Sequence, residues 1–261
     1  MTYVPLAECT WPEVEALCKG RVLGLIPTGA IEQHGPHMPL ATDCLIAAEL
    51  AHLVADAFVE PVVVAPVVPG GLSDHHIAFP GTVTFSEDAF GAVLTAYVEA
   101  FTRMGIGEVA IFSGHGGNLG FLGRYAEAHA GRGSATRVIA ASDFAPYVAA
   151  MFEGARGAGV EPPETDVHAG AVETSQGLAV FPELVRPVYA ETVGYTAAED
   201  GWLDRLVADG IHTVTPNGAM GDPSAATVEA GGAINAAIAE YLIRWIADEL
   251  AYTRVAAGSV D

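Results

Sequence analysis

Short β-branched runs alternate along the chain with longer Ala-rich stretches whose apolar positions recur at helical spacing. Four runs read as strands: 21–27 (RVLGLIP), 61–68, 108–113 (EVAIFS) and 137–141 (RVIAA). Helices fit at 43–58, 86–104, 118–130, 169–180 and 224–250. This alternation predicts an α/β layered domain in which helices cover a mostly parallel sheet. The polar, Gly- and Pro-rich segments 28–42, 69–82 and 114–118 each follow a predicted strand. In an open parallel sheet such loops gather at the carboxyl edge, where ligands bind. Segment 154–163 (GARGAGVEPP) reads as a flexible or lid-like loop. No internal repeat stands out, so a single domain over 1–261 is expected.

Composition narrows the function. The 261 residues are 51% hydrophobic, ample for one core. A formal charge of −21, from 32 acidic and 11 basic residues, excludes nucleic acid and anionic membrane surfaces as main partners. Only 16% of residues are charged, so part of the apolar excess is expected to lie between subunits of a homo-oligomer. Cys9, Cys18 and Cys44 form no CxxC pair and are odd in number, against a disulfide framework. The first residues lack a secretory pattern, and the strongest apolar run, 62–68, is broken by Pro66. A cytoplasmic location is the expectation.

Three clusters carry candidate chemistry. The first, Glu32-Gln33-His34-Gly35-Pro36-His37 with Asp43 after it, offers two imidazoles and two carboxylates. Carboxylate and imidazole without thiolate suit Zn, Mn or Fe(II). In an extended segment residues two apart point the same way, so Glu32 and His34 could address one ion together while Gln33 faces elsewhere. Thr42-Asp43 also has the form of a helix N-cap. The second cluster is Ser113-Gly114-His115-Gly116-Gly117-Asn118, a histidine among glycines directly after a strand. A nucleotide site is the rival reading there, with Asp143 as a ribose-binding acid, but Leu119 occupies the third glycine of GxGxxG. The third cluster places His168 at the mouth of a helix and Glu173 one turn in among buried-looking neighbours, where a carboxylate needs a partner or a metal. His52, His129 and His212 read as ordinary histidines, and Asp222-Pro223 as the start of the C-terminal helix.

Five segments in order, IPTGAIEQHGPHMPLATD (26–43), SDHHIAFPGTVT (73–84), SGHGGN (113–118), HAGAVETS (168–175) and GAMGDPSAAT (218–227), resemble the creatininase family of metal-dependent amidohydrolases. The resemblance implies a three-layer α/β/α fold, usually a hexamer, and two divalent ions per chain beside the strand ends. It makes Glu32, His34, Asp43 and His115 metal ligands, with Asp43 bridging, and these are the four named by the clusters. It assigns His168 as proton donor to the leaving nitrogen. His75, His76 and Phe79 lie in the loop after the second strand, and His76 matches the family's His-x-x-Phe-Pro-Gly-Thr histidine; this reads as a substrate-pocket wall, shared with Gly116, Gly117 and Asn118, or as a subunit contact.

This chain departs from creatininases in two respects. Gly117 stands where they carry a ligand glutamate, and in GHGGN-type relatives Glu173 is the natural replacement, as ligand and catalytic group. They close tryptophans over creatinine, but no Trp occurs here between Trp11 and Trp202, which argues against creatinine itself. Relatives with the same motifs act on formamidopyrimidine rings, inosose-derived sugars or the mycofactocin precursor peptide. The expected reaction is hydrolysis of a carbon–nitrogen amide bond, other than an ordinary peptide bond, in a small, possibly cyclic, substrate. The alternatives are a precursor-type peptidase and a non-catalytic small-molecule binder.

Overall fold

The computed structural model describes residues 2–256. Five parallel strands, β1 (Tyr3–Pro5), β2 (Leu23–Thr28), β3 (Val62–Val64), β4 (Glu108–Ser113) and β5 (Arg137–Ala140), form one sheet in the order β1-β3-β2-β4-β5. The central register pairs Leu23 with Glu108 and Thr28 with Ser113, so β2 and β4 end level with each other. Among the described residues, eight α-helices accompany the sheet: α1 (Trp11–Leu17), α2 (Thr42–Asp56), α3 (Glu87–Arg103), α4 (Leu119–Ala130), α5 (Phe144–Gly157), α6 (Ala171–Val180), α7 (Trp202–Asp209) and α8 (Val228–Leu250).

Strand periodicity divides the core in two. Leu23, Leu25, Val62, Val64, Ala110 and Phe112 point to one face and meet apolar residues of α2, α5, α6 and α8. Ile26, Val63, Val109 and Ile111 point to the other, against α3 and α4. All of these side chains are buried, as befits a parallel sheet covered on both sides. The three-layer α/β/α arrangement expected from the sequence is present. Among the described residues, no helix is long and apolar enough to cross a membrane.

Several local expectations need correction. The three-residue edge strand β1 and helices α1, α5 and α7 carry signals too short or too broken by Gly and Pro to stand out. The run 61–68 yields only three strand residues, because Pro66 has no N–H for a ladder. Segment 154–163 is no lid. Its first residues complete α5, and Gly154 packs so closely on α8 that a Cβ there would lie 2.6 Å from the Ile234 Cα. Val160 is buried just beyond. Asp222 caps a short 3-10 turn at Pro223–Ala225, and α8 instead starts after Thr227, whose hydroxyl accepts the Ala230 N–H at 3.1 Å. Asp43 is not an N-cap: Ala41 holds that position, and Asp43 lies inside the first turn of α2.

Candidate metal centre

The loops after β2 and β4 meet the first turns of α2 and α6 at the carboxyl edge of the sheet. There Glu32, His34, Asp43, His115, His168 and Glu173, far apart in sequence, converge with at most about a tenth of any side chain exposed. Three groups bring their ligand atoms within 4.8 Å of one another: Glu32, Asp43 and His115; His34, His168 and Glu173; and Glu32, His76 and His168. Asp43 joins the two sides. Its Oδ1 lies 3.0 Å from His34 Nε2 and its Oδ2 3.4 Å from His115 Nδ1. Glu32 Oε1 is 3.2 Å from His115 Nδ1, and Glu173 Oε2 is 3.7 Å from His34 Nε2.

Glu32 and His34 do not face the same way. His34 Nδ1 contacts the Glu32 carbonyl at 3.1 Å, and Glu32 joins His115 while His34 joins Glu173. His37, the second imidazole of the first cluster, turns away and bonds Thr174 Oγ1 at 2.8 Å. Burial pulls His37 down to about 4.

The charges in this pocket bear on whether it fits a cation. Glu32 Oε1 and Oε2 and Asp43 Oδ2 are buried and accept no hydrogen bond, an expensive condition for carboxylates unless a cation neutralises them. Burial pulls His34 down, but Asp43 beside it more than reverses this and holds the imidazole protonated up to about 10. Burial likewise opposes a charge on His115, yet Glu32 and Asp43 raise it well above the ordinary range. Burial pushes Asp43 up, but His34 and His115 bring it down to about 2. Burial lifts Glu173 to about 7. Protons on two imidazoles thus supply the positive charge that three buried carboxylates demand. The donor set of oxygen and imidazole nitrogen fits divalent Zn, Mn or Fe, so the residues present suit the ions implied by the sequence.

His168 stands over this cluster. Its Nε2 is 2.8 Å from the Gln33 carbonyl and its Nδ1 is 3.7 Å from Glu32 Oε1. Burial holds its proton affinity well below the ordinary range. The next residue, Ala169, adopts a left-handed φ of +52°, and its N–H donates to Glu173 Oε2 at 2.6 Å. The α6 N-terminus is satisfied by Asp166, whose oxygens accept the Ala171 and Val172 N–H groups at 3.0 and 3.2 Å.

A cavity of about 440 Å³ opens above the cluster. His76, Gly116 and Gly117 line it. Phe79 and Asn118 do not. Phe79 packs behind the wall against Leu206, Ile211 and Met220. Asn118 staples loops together, donating to the Gly29 carbonyl and accepting the Leu72 N–H at 2.9 Å. At position 117 a Cβ would lie 2.3 Å from His115 Nε2, so this backbone admits no side chain where a ligand glutamate would be needed. Sequence reading missed the opposite wall, formed by Phe144 of α5 and Leu203, Leu206 and Val207 of α7. The 203/206/207 spacing was the available signal for it. His75 also lines the cavity, its ring stacked on His115 at 5.6 Å.

Comparison with known proteins agrees with this geometry. A family model described as creatininase, creatinine amidohydrolase, matches residues 7–246. The mycofactocin precursor peptide peptidase of Mycolicibacterium smegmatis is 34% identical over 236 residues, covering 86% of this chain and 85% of that protein. The creatinine amidohydrolase of Pseudomonas putida is 28% identical, covering 69% of this chain and 73% of that one. A solved creatininase superposes with a TM-score of 0.72 at 23% identity, covering 94% and 97% of the two chains. Solved creatininases of the same fold include a manganese form and a zinc–zinc form.

Proposed function

The chain belongs to the creatininase family, and from that premise we propose that it is a metal-dependent amidohydrolase that cleaves a carbon–nitrogen amide bond of a peptide. The observation that carries the hydrolase reading is the set of buried, unpartnered oxygens of Glu32 and Asp43 ringed by imidazoles. The peptide is favoured over a small cyclic amide because relatives named for a precursor peptide reach 31–34% identity, against 28% for the creatinine and inosose hydrolases. No Lys or Arg lines the cavity among the described residues, so the group it accepts is not read through a cationic side chain.

Glu32, Asp43 and His115 would hold one divalent ion and His34, Asp43 and Glu173 the other, with Glu173 standing in for the carboxylate absent at Gly117. When bound, such a pair lowers the pKa of a water toward about 7 and polarises a carbonyl oxygen. The chain's own part is to orient the amide and to move one proton from the attacking water to the departing nitrogen. His168 is placed to carry that proton. It keeps one proton at Nε2 against the Gln33 carbonyl and presents Nδ1 to the cavity; its low proton affinity leaves Nδ1 bare at rest and makes a proton passed to it from the water quick to leave for the departing nitrogen. Leu203, Leu206 and Phe144 make that side of the cavity apolar. A homo-oligomer would cover the exposed Val207 and Leu203, consistent with the low overall charge.

The test combines metal content with oxygen exchange. Untagged protein dialysed against metal-free buffer should retain about two Zn, Mn or Fe ions per chain. Incubated in ¹⁸O water with unblocked peptides, and with creatinine as a contrasting probe, it should place ¹⁸O in the new carboxylate of a peptide product. Protein that binds no ion even after metal is added back, or His115→Ala protein that hydrolyses the peptides without metal, would end the proposal.

A further inference from the structure

Gln33 lies between two residues that touch the cluster, yet nothing in the proposed chemistry uses its side chain. It is buried, and its carboxamide nitrogen lies 2.9 Å from His76 Nδ1, 2.9 Å from His168 Nε2 and 3.2 Å from the Gly218 carbonyl. Its carboxamide oxygen accepts the Gly35 N–H at 3.0 Å, which fixes the orientation of the amide, since the flipped group would set N–H against N–H. The space is made for it: Gly218 has a left-handed φ of +80°, and a Cβ there would lie 1.8 Å from the Gln33 oxygen.

Two protons on that nitrogen face three neighbours, and the neighbours settle the choice. His168 Nε2 is also 2.8 Å from the Gln33 backbone carbonyl, an acceptor only, so Nε2 must carry the proton. A protonated Nε2 cannot accept from the carboxamide. The two amide protons therefore go to the Gly218 carbonyl and to His76 Nδ1. His76 then has its lone pair at Nδ1 and its proton at Nε2, the nitrogen 3.3 Å from Glu32 Oε1. The carboxamide at Nδ1 and the Glu32 carboxylate at Nε2 thus favour the same tautomer from opposite sides of the ring.

We infer that Gln33 is a positioning residue whose carboxamide holds His76 as the Nε2–H tautomer and turns that proton toward Glu32, while its backbone carbonyl independently holds His168 as the Nε2–H tautomer. Partners of this kind behind a metal-ligating carboxylate typically change affinity or activity about 10-fold to 100-fold when removed. Only the consequence for zinc and turnover rests on the hydrolase reading. The tautomers are measured without substrate.

The experiment is long-range ¹H–¹⁵N correlation of ring-labelled histidines in zinc-loaded and in metal-free protein, with His76→Gln and His168→Gln used for assignment. Wild type should show the Nε2–H pattern for both rings. Gln33→Glu, whose ionised carboxylate only accepts, should put a proton on His76 Nδ1, with or without the one at Nε2, and leave His168 as Nε2–H, because the carbonyl that holds His168 is unchanged. Zinc affinity measured by chelator competition should fall about 10-fold to 100-fold in the same variant. His76 in the Nδ1–H form in wild type, or unchanged in Gln33→Glu, would overturn the inference. The wild-type spectrum decides it even where the variant does not fold. Protein that takes up no zinc but shows the expected tautomers would sink the hydrolase proposal and leave this one standing.

Discussion

Replacing Glu173 by Gln keeps the side-chain shape and an oxygen for the Ala169 N–H, but removes one negative charge from the His34 side of the cluster. At the 3.7 Å separating Glu173 Oε2 from His34 Nε2, opposite unit charges in an effective dielectric of about 20 attract by about 4 kcal/mol. A divalent ion taking the place of the imidazole proton carries twice that charge. With about 1.4 kcal/mol per tenfold, the second ion should bind at least about 10³-fold more weakly and be lost on dialysis. The ion held by Glu32, Asp43 and His115 should remain. Plasma emission analysis of zinc per chain, backed by zinc titration calorimetry, should read about two for wild type and about one for Glu173→Gln. Two ions held with wild-type affinity by Glu173→Gln would refute the assignment of Glu173 as the substitute ligand. In metal-free protein the same change acts in the opposite sense. Burial raises Glu173 from 4.5 to about 7, so its contribution to stability is complete below 4.5 and is lost as pH rises through 7. Metal-free Glu173→Gln should therefore resist urea better than metal-free wild type at about pH 8, but not at about pH 4.

His168→Ala should retain wild-type metal content and lose turnover by about 10²-fold to 10⁴-fold, since it removes a proton carrier and no ligand; loss of metal would show that His168 is itself a ligand. Burial raises Asp166 to about 7 against the pull of its backbone hydrogen bonds, so its contribution is full below 3.8 and falls away through 7. Asp166→Asn should flatten the decline in stability across that window, followed by thermal melts at several pH values. Gly154→Ala should lower stability by about 1–3 kcal/mol, read from the urea midpoint, because the added methyl meets the Ile234 backbone.

The fold was legible where one period ran uninterrupted. β2, β4 and β5 and the helices α2, α3, α4 and α8 follow from apolar spacing alone, and their order already placed the loops holding Glu32 and His115 on one sheet edge. α5 was not legible because Gly154, Gly157 and Gly159 imitate a loop, whereas Gly154 serves contact with α8. For the site, residue type and spacing were enough to select the convergent carboxylates and imidazoles. They could not say which way each points. Glu32 and His34 part company because the His34 ring is drawn to the Glu32 backbone carbonyl, and Asn118 and Phe79 serve the scaffold because partners distant in sequence claim them. Gln33 was legible only as a residue facing elsewhere; its contact with Gly218, 185 positions away, is invisible in one dimension.

Ala169 sits in a backbone region that disfavours any residue with a Cβ by about 1–2 kcal/mol. Glycine would occupy that region without the penalty, yet it would also widen the backbone choices open between His168 and α6. The alanine narrows those choices, keeping imidazole and Glu173 in step at the expense of stability. A search for heat-resistant variants would find Ala169→Gly attractive, and the proteins it delivered would be sturdier and slower.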